Sequence, residues 1–142
     1  MNSAQKYFLV SGEGQDVKRV EKAFLQTSQL SQELKANEVV LFVPDRKVRG
    51  TALEKFLSSK VYELLLQGKP QRIAGRFNLR LADPSSYNRT SFGEIIIGFH
   101  PTKEMLDLID GLEKTAAVII IPASRAEAEE WIKNWNPQVI AS

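Results

Sequence analysis

The sequence predicts an α/β protein, a three-layer sandwich with helices on both faces of a central, at least partly parallel sheet of about five strands. Two observations carry this prediction. Residues 93–135 contain an apolar run, an amphipathic segment, a second apolar run and a second amphipathic segment, which is the order strand, helix, strand, helix. Residues 6–43 also give strand, helix, strand, with a crossover long enough for a right-handed connection between parallel strands.

The first half of the chain supplies two predicted strands and two predicted helices. Residues 6–10 (KYFLV) and 38–43 (EVVLFV) are short, apolar and rich in aromatic or β-branched side chains, which favours strands. The helix between them is expected to begin at Asp16, because its carboxylate can accept the free amide protons of the first turn. After the second strand, an apolar stripe at helical spacing predicts a helix capped by Thr51 that ends near Gly68.

The middle and the end of the chain leave alternatives open. Residues 71–82 alternate weakly, which predicts a half-exposed strand or an irregular hairpin. If this segment paired with residues 93–99 as a hairpin, the later strands would run antiparallel to the first two. Residues 83–93 are mostly turn formers and predict a loop. In the last helix, Ser124 and Glu127 have the spacing of a capping box.

Length and composition limit the class of protein. The chain has 142 residues, a typical size for one domain, so we expect a single domain over residues 1–142. Its apolar runs are far shorter than the roughly 20 residues that cross a bilayer, so we expect no membrane contact. The absence of cysteine excludes disulfides and thiol chemistry. Without a visible signal peptide, the expected location is cytoplasmic. No P-loop motif occurs, and no cofactor is predicted.

Charge is unevenly distributed along the sequence. The net charge is +2, but residues 46–89 hold ten basic and three acidic residues, a net +7, whereas residues 90–142 have a net −4. We call residues 45–89 the basic segment. Such asymmetry predicts a surface for an acidic protein or nucleic acid. The candidate binding residues are Arg46, Lys47, Arg49, Arg72, Arg76, Arg80, Arg89 and Arg125.

Two spacings add detail to possible interactions. Arg72, Arg76 and Arg80 have even spacing, so on one extended strand they would project from the same face. This stripe would either contact a polyanion or protect a solvated edge strand from aggregation. Trp131 and Trp135 are one helical turn apart, which favours packing on the sheet, with a homo-oligomer interface as the alternative.

The carboxyl ends of the predicted strands collect a second set of candidates. Ligands of open α/β sheets bind at this edge, where Glu13, Asp45 and His100 each follow a strand. His100 is the only histidine and precedes a predicted helix, so it is either a general base or phosphate ligand, or a cap or loop side chain. The favoured function is a non-catalytic binding or regulatory module. The alternative is a small enzyme acting on a nucleotide or phosphorylated substrate, with these three residues as catalytic groups.

Two partial motifs follow the first strand. Gly12-Glu13-Gly14 predicts a tight turn rather than a phosphate loop, because the third glycine of a dinucleotide fingerprint is missing and Glu13 is negative. Glu13-Gly14 with Asp16 and the later Asp45 partly resembles a Toprim metal site, in which an acidic residue and an aspartate pair hold magnesium. Lys47 stands where the second aspartate is expected, and we assign no metal site.

Overall fold

The computed structural model describes residues 6–88 and 92–141. Arg89 lies outside these residues. The strands are β1 (Lys6–Val10), β2 (Glu38–Phe42), β3 (Gln71–Ile73), β4 (Phe77–Ala82), β5 (Ile95–Phe99), β6 (Ala117–Ile121) and β7 (Gln138–Ile140). The helices are α1 (Val17–Leu34), α2 (Ala52–Leu57), α3 (Ser59–Leu66), α4 (Lys103–Asp110) and α5 (Glu129–Trp135), with 3₁₀ turns at Pro84–Ser86 and Arg125–Ala128.

The strands form one mixed sheet in the order β3-β4-β2-β5-β6-β1-β7. All neighbours are parallel except β3 and β4, which form an antiparallel hairpin. Because β4 pairs with β2, and β5 lies between β2 and β6, the alternative hairpin between residues 71–82 and 93–99 does not form. The predicted α/β sandwich is confirmed, with two three-residue strands added at the sheet edges.

Two apolar layers cover the sheet. Val39 and Leu41 of β2 pack on the side of α1, α2 and α3, while Val40 and Phe42 pack on the side of α4 and α5. Burial on both faces explains why the central strands are continuous apolar runs rather than alternating ones. None of the helices in the described residues has the length and apolar character needed to cross a bilayer.

The helix predicted from Thr51 to near Gly68 is wrong as a single element. It breaks at Ser58, whose φ of 88° lies outside the helical region. The Ser58 hydroxyl then accepts the Val61 N–H at 3.3 Å and begins α3. Thr51 caps α2 as expected, accepting the Glu54 N–H at 3.3 Å. The side-chain cap at Ser58 therefore interrupts the helical backbone, and the chain bends between α2 and α3.

Other cap and packing predictions have mixed outcomes. Asp16 caps α1, accepting the Lys18 N–H at 2.9 Å. The Ser124 capping box is wrong: Ser124 precedes a 3₁₀ turn and its side chain makes no capping hydrogen bond. Trp131 is buried and packs edge-on against Tyr7, as predicted for a core residue. The predicted homo-oligomer stays a prediction.

Candidate functional site

The loops that follow β1, β2 and β5 enclose a crevice of about 140 Å³ at the carboxyl edge of the sheet. The chain leaves β2 toward one face of the sheet and leaves the adjacent β5 toward the other. Ligands of open α/β sheets bind at such a switch in direction. The crevice is lined by the apolar or aromatic residues Val43, Pro44, Val48, Leu53, Tyr62 and Phe99 and by the polar residues Gln15, Asp45, Thr51 and His100.

Arg19, in the first turn of α1, fixes the loop after β1. Its side chain is only 1% exposed, and its guanidinium donates to three backbone carbonyls. Nε donates to Ser11 O at 2.9 Å, one terminal nitrogen to Gly14 O at 3.2 Å and the other to Val10 O at 3.1 Å. Burial lowers the pKa of Arg19, although Asp16 and Glu13 oppose this effect. One side chain thereby satisfies three carbonyls at the strand end and holds the loop against the helix.

Gln15 and His100 join three loops at the crevice. The Gln15 Oε1 atom accepts the Ala52 N–H at 2.7 Å, which orients Gln15 Nε2 toward His100 Nδ1 at 3.5 Å. His100 Nε2 lies 3.1 Å from Gly14 O. Because a carbonyl can only accept, the proton of the neutral imidazole is on Nε2, and Nδ1 is the acceptor.

His100 is held in an unusual backbone conformation. Its φ is 48°, its N–H donates to Ile121 O at 2.7 Å, and its ring stacks on Phe99 with centroids 4.0 Å apart. Such a conformation costs about 1–3 kcal/mol and is found preferentially at functional sites. Burial, the largest effect, lowers the pKa of His100, the hydrogen bond to Gly14 raises it, Arg19 lowers it and Glu127 raises it. The imidazole is therefore neutral at pH 7.

The expected roles of the three catalytic candidates are not equally supported by their positions. His100 is not the cap of α4, because Thr102 accepts the Met105 N–H at 3.2 Å. Asp45 lines the crevice, and its Oδ1 accepts the Lys47 N–H at 2.9 Å. Glu13 is exposed on the turn between two glycines of positive φ and does not line the crevice. Within residues 6–88 and 92–141, no carboxylate makes a hydrogen bond or ion pair with the imidazole.

The positive charge of Arg49 is paired with carboxylates of the same protein. Its guanidinium binds both carboxylate oxygens of Glu54, at 2.9 and 2.8 Å, and Glu63 at 2.9 Å, and it lies over the Tyr62 ring. Glu54 also accepts the Gly50 N–H at 2.9 Å. Hydrogen bonding from Arg49 is the largest of the effects that lower the pKa of Glu54 to about 2. This cluster ties the loop after β2 to α2 and α3, and Arg49 contacts the ring of Tyr62, which lines the crevice.

The three evenly spaced arginines do not share one strand, because residues 71–82 form a hairpin, which was one of the two alternatives predicted for this segment. Arg72 is in β3, Arg76 is in the turn and Arg80 is in β4. Arg72 donates to Gly75 O and to Asn78, and Arg76 donates to Gln32 of α1. The turn precedes β4, so Arg72 and Arg76 lie toward the amino edge of the sheet, away from the crevice.

Arg80 supports the loop before β5 rather than a surface. It donates to the backbone carbonyl of Phe92, and its guanidinium lies 5.7 Å from the centre of the Phe92 ring. Arg46 forms an ion pair with Asp83 at 3.7 Å. Among the predicted cations that the structure describes, Lys47, after β2, and Arg125, after β6, have no side-chain partner in the described residues. They lie in the segments that follow the two strands on either side of β5, and both are exposed.

Sequence reasoning overlooked Arg19 and the bridging role of Gln15. For Arg19 a signal existed: Arg19, Ala23, Thr27 and Ser31 are spaced four residues apart and are all buried, so they form a stripe beside the apolar one. For Gln15 no local pattern exists, because its partners are 37 and 85 residues away.

No group of three or more His, Asp or Glu side chains in the described residues is arranged to hold a metal ion. Comparison with known proteins gave no assignment. No protein-family model matches the sequence, and no curated protein is significantly similar to it.

Replacing Arg19 with Met should lower the free energy of unfolding by about 3 kcal/mol, because buried carbonyls lose a charged donor. Urea unfolding monitored by circular dichroism measures this change. Lys18→Met, at the exposed neighbouring position, is the control and should stay within about 0.5 kcal/mol of the wild type. Equal stability of Arg19→Met and the wild type would contradict the structural role of Arg19.

The Arg49–Glu54 contact predicts a specific pH dependence. The pKa of Glu54 is lowered from 4.5 to about 2 in the folded protein, so its stabilising effect is complete above pH 4.5 and is lost as the pH falls through 2. In urea unfolding at several pH values, Glu54→Gln should remove this part of the acid sensitivity. Glu21→Gln, at an exposed position of α1, should keep it. Identical pH profiles for wild type and Glu54→Gln would refute the assignment.

Proposed function

We propose that the protein is a non-catalytic binding module for a small anionic ligand of the nucleotide or phosphorylated-metabolite class. The observation that carries the proposal is the crevice at the carboxyl ends of β1, β2 and β5, where apolar walls surround a few polar groups. This combination is typical of small-molecule sites, in which apolar surface supplies affinity and polar groups fix orientation.

The volume and the lining residues of the crevice favour a ligand that places a single ring inside it. Its volume of about 140 Å³ is below the roughly 300–1,000 Å³ of sites that enclose a whole ligand. A single planar ring fits between apolar side chains such as Val48 and Phe99. The Thr51 hydroxyl and the Asp45 carboxylate can meet hydrogen-bonding groups on the ring edge.

The charges around the crevice favour an anionic group outside it. Lys47 and Arg125 are exposed, have no side-chain partner in the part of the chain that the structure describes, and follow the strands on either side of β5. A phosphate attached to the ring would reach solvent near these cations, where both Lys and Arg bind phosphate oxygens well.

The bonds of His100 favour binding over catalysis. Both ring nitrogens are occupied by protein groups, Gly14 O and Gln15 Nε2. A general base needs a free nitrogen within hydrogen-bond reach of the substrate proton. The enzyme alternative requires Gln15 to move away first.

Val48→Trp should abolish ligand binding, because the indole would fill the crevice. Val48 is 50% exposed, so the substitution leaves the core intact. The measurement is the thermal shift of wild type and variant with a panel of 5′-mononucleotides and sugar phosphates. A ligand at one hundred times its Kd stabilises the folded state by about 2.7 kcal/mol, which raises Tm by several degrees.

Val139→Trp is the matched control, since Val139 is 53% exposed and lies on β7 at the far edge of the sheet. It should bind as the wild type does. If no compound of the panel raises the Tm of the wild-type protein, the proposed function is refuted. Turnover of a bound compound would favour the enzyme alternative.

A second candidate function is nucleic-acid binding by the lysines of the basic segment. Within residues 6–88 and 92–141, Lys47, Lys55, Lys60 and Lys69 are exposed and have no side-chain partner, in contrast to the described arginines of this segment. Three of them belong to or follow α2 and α3, on one face of the sheet. Free ammonium groups suit contacts with phosphates that carry no sequence information.

The triple variant Lys47→Glu, Lys60→Glu, Lys69→Glu should weaken binding of single-stranded DNA at least about tenfold at low salt and flatten its salt dependence. Fluorescence anisotropy at several salt concentrations measures both effects. Lys22→Glu, at an exposed position of α1, should change neither. Wild-type protein that binds no DNA at low salt would remove this candidate.

A further inference from the structure

We propose that Gln15 and His100 form a pH-sensitive latch that holds the crevice in its binding conformation only while the imidazole is uncharged. The inference rests on the proposed function, because it describes how that binding site is regulated. The hydrogen bonds that carry it belong to the unliganded protein and can be tested without any ligand.

The latch connects the loops after β1, β2 and β5. The Gln15 amide oxygen accepts the N–H of Ala52, the first residue of α2, at 2.7 Å. The amide nitrogen faces His100 Nδ1 at 3.5 Å, and His100 Nε2–H donates to Gly14 O at 3.1 Å. Gln15 and His100 both line the crevice, so these bonds set the distance between its walls.

Protonation of His100 makes this arrangement impossible. A charged imidazole carries N–H groups on both nitrogens, so Nδ1 becomes a donor that faces the NH₂ group of Gln15. If the Gln15 amide turns over, its oxygen can accept from Nδ1, but its NH₂ group then faces the Ala52 N–H. Either orientation leaves two donors opposed. In neither of these two orientations does Gln15 bind Ala52 and a charged histidine together.

Charged groups around His100 affect the pH at which its ring becomes protonated. Arg19 of α1 disfavours the charged ring and Glu127 of the turn before α5 favours it. Asp45 lines the same crevice, and Glu13 lies in the same loop as Gln15. Burial is the largest effect and lowers the pKa of His100 below 6.5. The latch is therefore closed at neutral pH and opens as the pH falls through the lowered pKa of His100.

The opening has two consequences. The folded state takes up a proton less readily than the unfolded chain, so the stability gained from the neutral ring is present above pH 6.5 and is lost as the pH falls. With the bond to Ala52 broken, the loops after β1 and β2 separate. We expect ligand affinity to fall at least about tenfold, a change of about 1.4 kcal/mol in binding free energy.

The first test is an NMR titration of the unliganded protein. The single histidine gives one set of imidazole signals, so its pKa and tautomer are unambiguous. We expect the Nε2–H tautomer at neutral pH. The Gln15 side-chain amide and the Ala52 backbone amide should shift with the midpoint of His100, and the protection factor of the Ala52 amide should fall at least about tenfold below it. If the Ala52 and Gln15 signals do not change as His100 titrates, the proposed latch is refuted.

Two variants separate a latch from a purely structural contact. In Gln15→Glu, one carboxylate oxygen can accept from Ala52 and the other from the charged imidazole, so the pKa of His100 should rise by at least about one unit and Ala52 should stay protected at low pH. Gln15→Leu should leave Ala52 unprotected at every pH. Equal, pH-independent effects of the two substitutions would show a structural contact and refute the latch.

The two proposals fail in different ways. If the ligand panel gives no thermal shift but Ala52 follows the His100 titration, the latch exists and the proposed function is wrong. If a nucleotide or sugar phosphate binds equally well above and below the His100 midpoint, the function stands and the regulation is refuted.

Discussion

The structure around the crevice depends on one buried cation. Arg19 donates to the carbonyls of Val10, Ser11 and Gly14, where the chain leaves β1. Buried carbonyls require donors, so the path of this loop is coupled to the position of α1. Gly14 O also accepts the His100 Nε2–H, and the Gly14 N–H donates to Ala123 O. These two hydrogen bonds join the loop after β1 to the loops after β5 and β6. The shape of the crevice therefore depends on the position of the Arg19 guanidinium.

The charge pattern of the sequence and the charge of the surface differ because arginine and lysine are used differently. In the basic segment, the planar guanidinium of Arg49 satisfies carboxylates and that of Arg80 a carbonyl, both in contact with aromatic rings. Lysines such as Lys60 and Lys69 remain solvated. A net charge of +7 along residues 46–89 therefore overstates the charge available to a partner.

The sequence was sufficient for the elements whose pattern is local. β2, β5 and β6 are buried on both faces, so their apolar runs identified them, and α1 began at its predicted cap. The break at Ser58 was invisible because apolar residues continue at helical spacing across it. Asp45 and His100 were found because they follow strands. The link from Gln15 to Ala52 and His100 could not be found, because it depends on the relative position of three loops distant in the sequence.

The two outermost strands, β3 and β7, are only three residues long. An exposed strand edge is a template on which another chain can extend the sheet, and so a route to aggregation. Here that template is too short to align an incoming strand over more than a few hydrogen bonds. Side chains on helices and loops can therefore change by substitution without exposing the sheet to polymerisation.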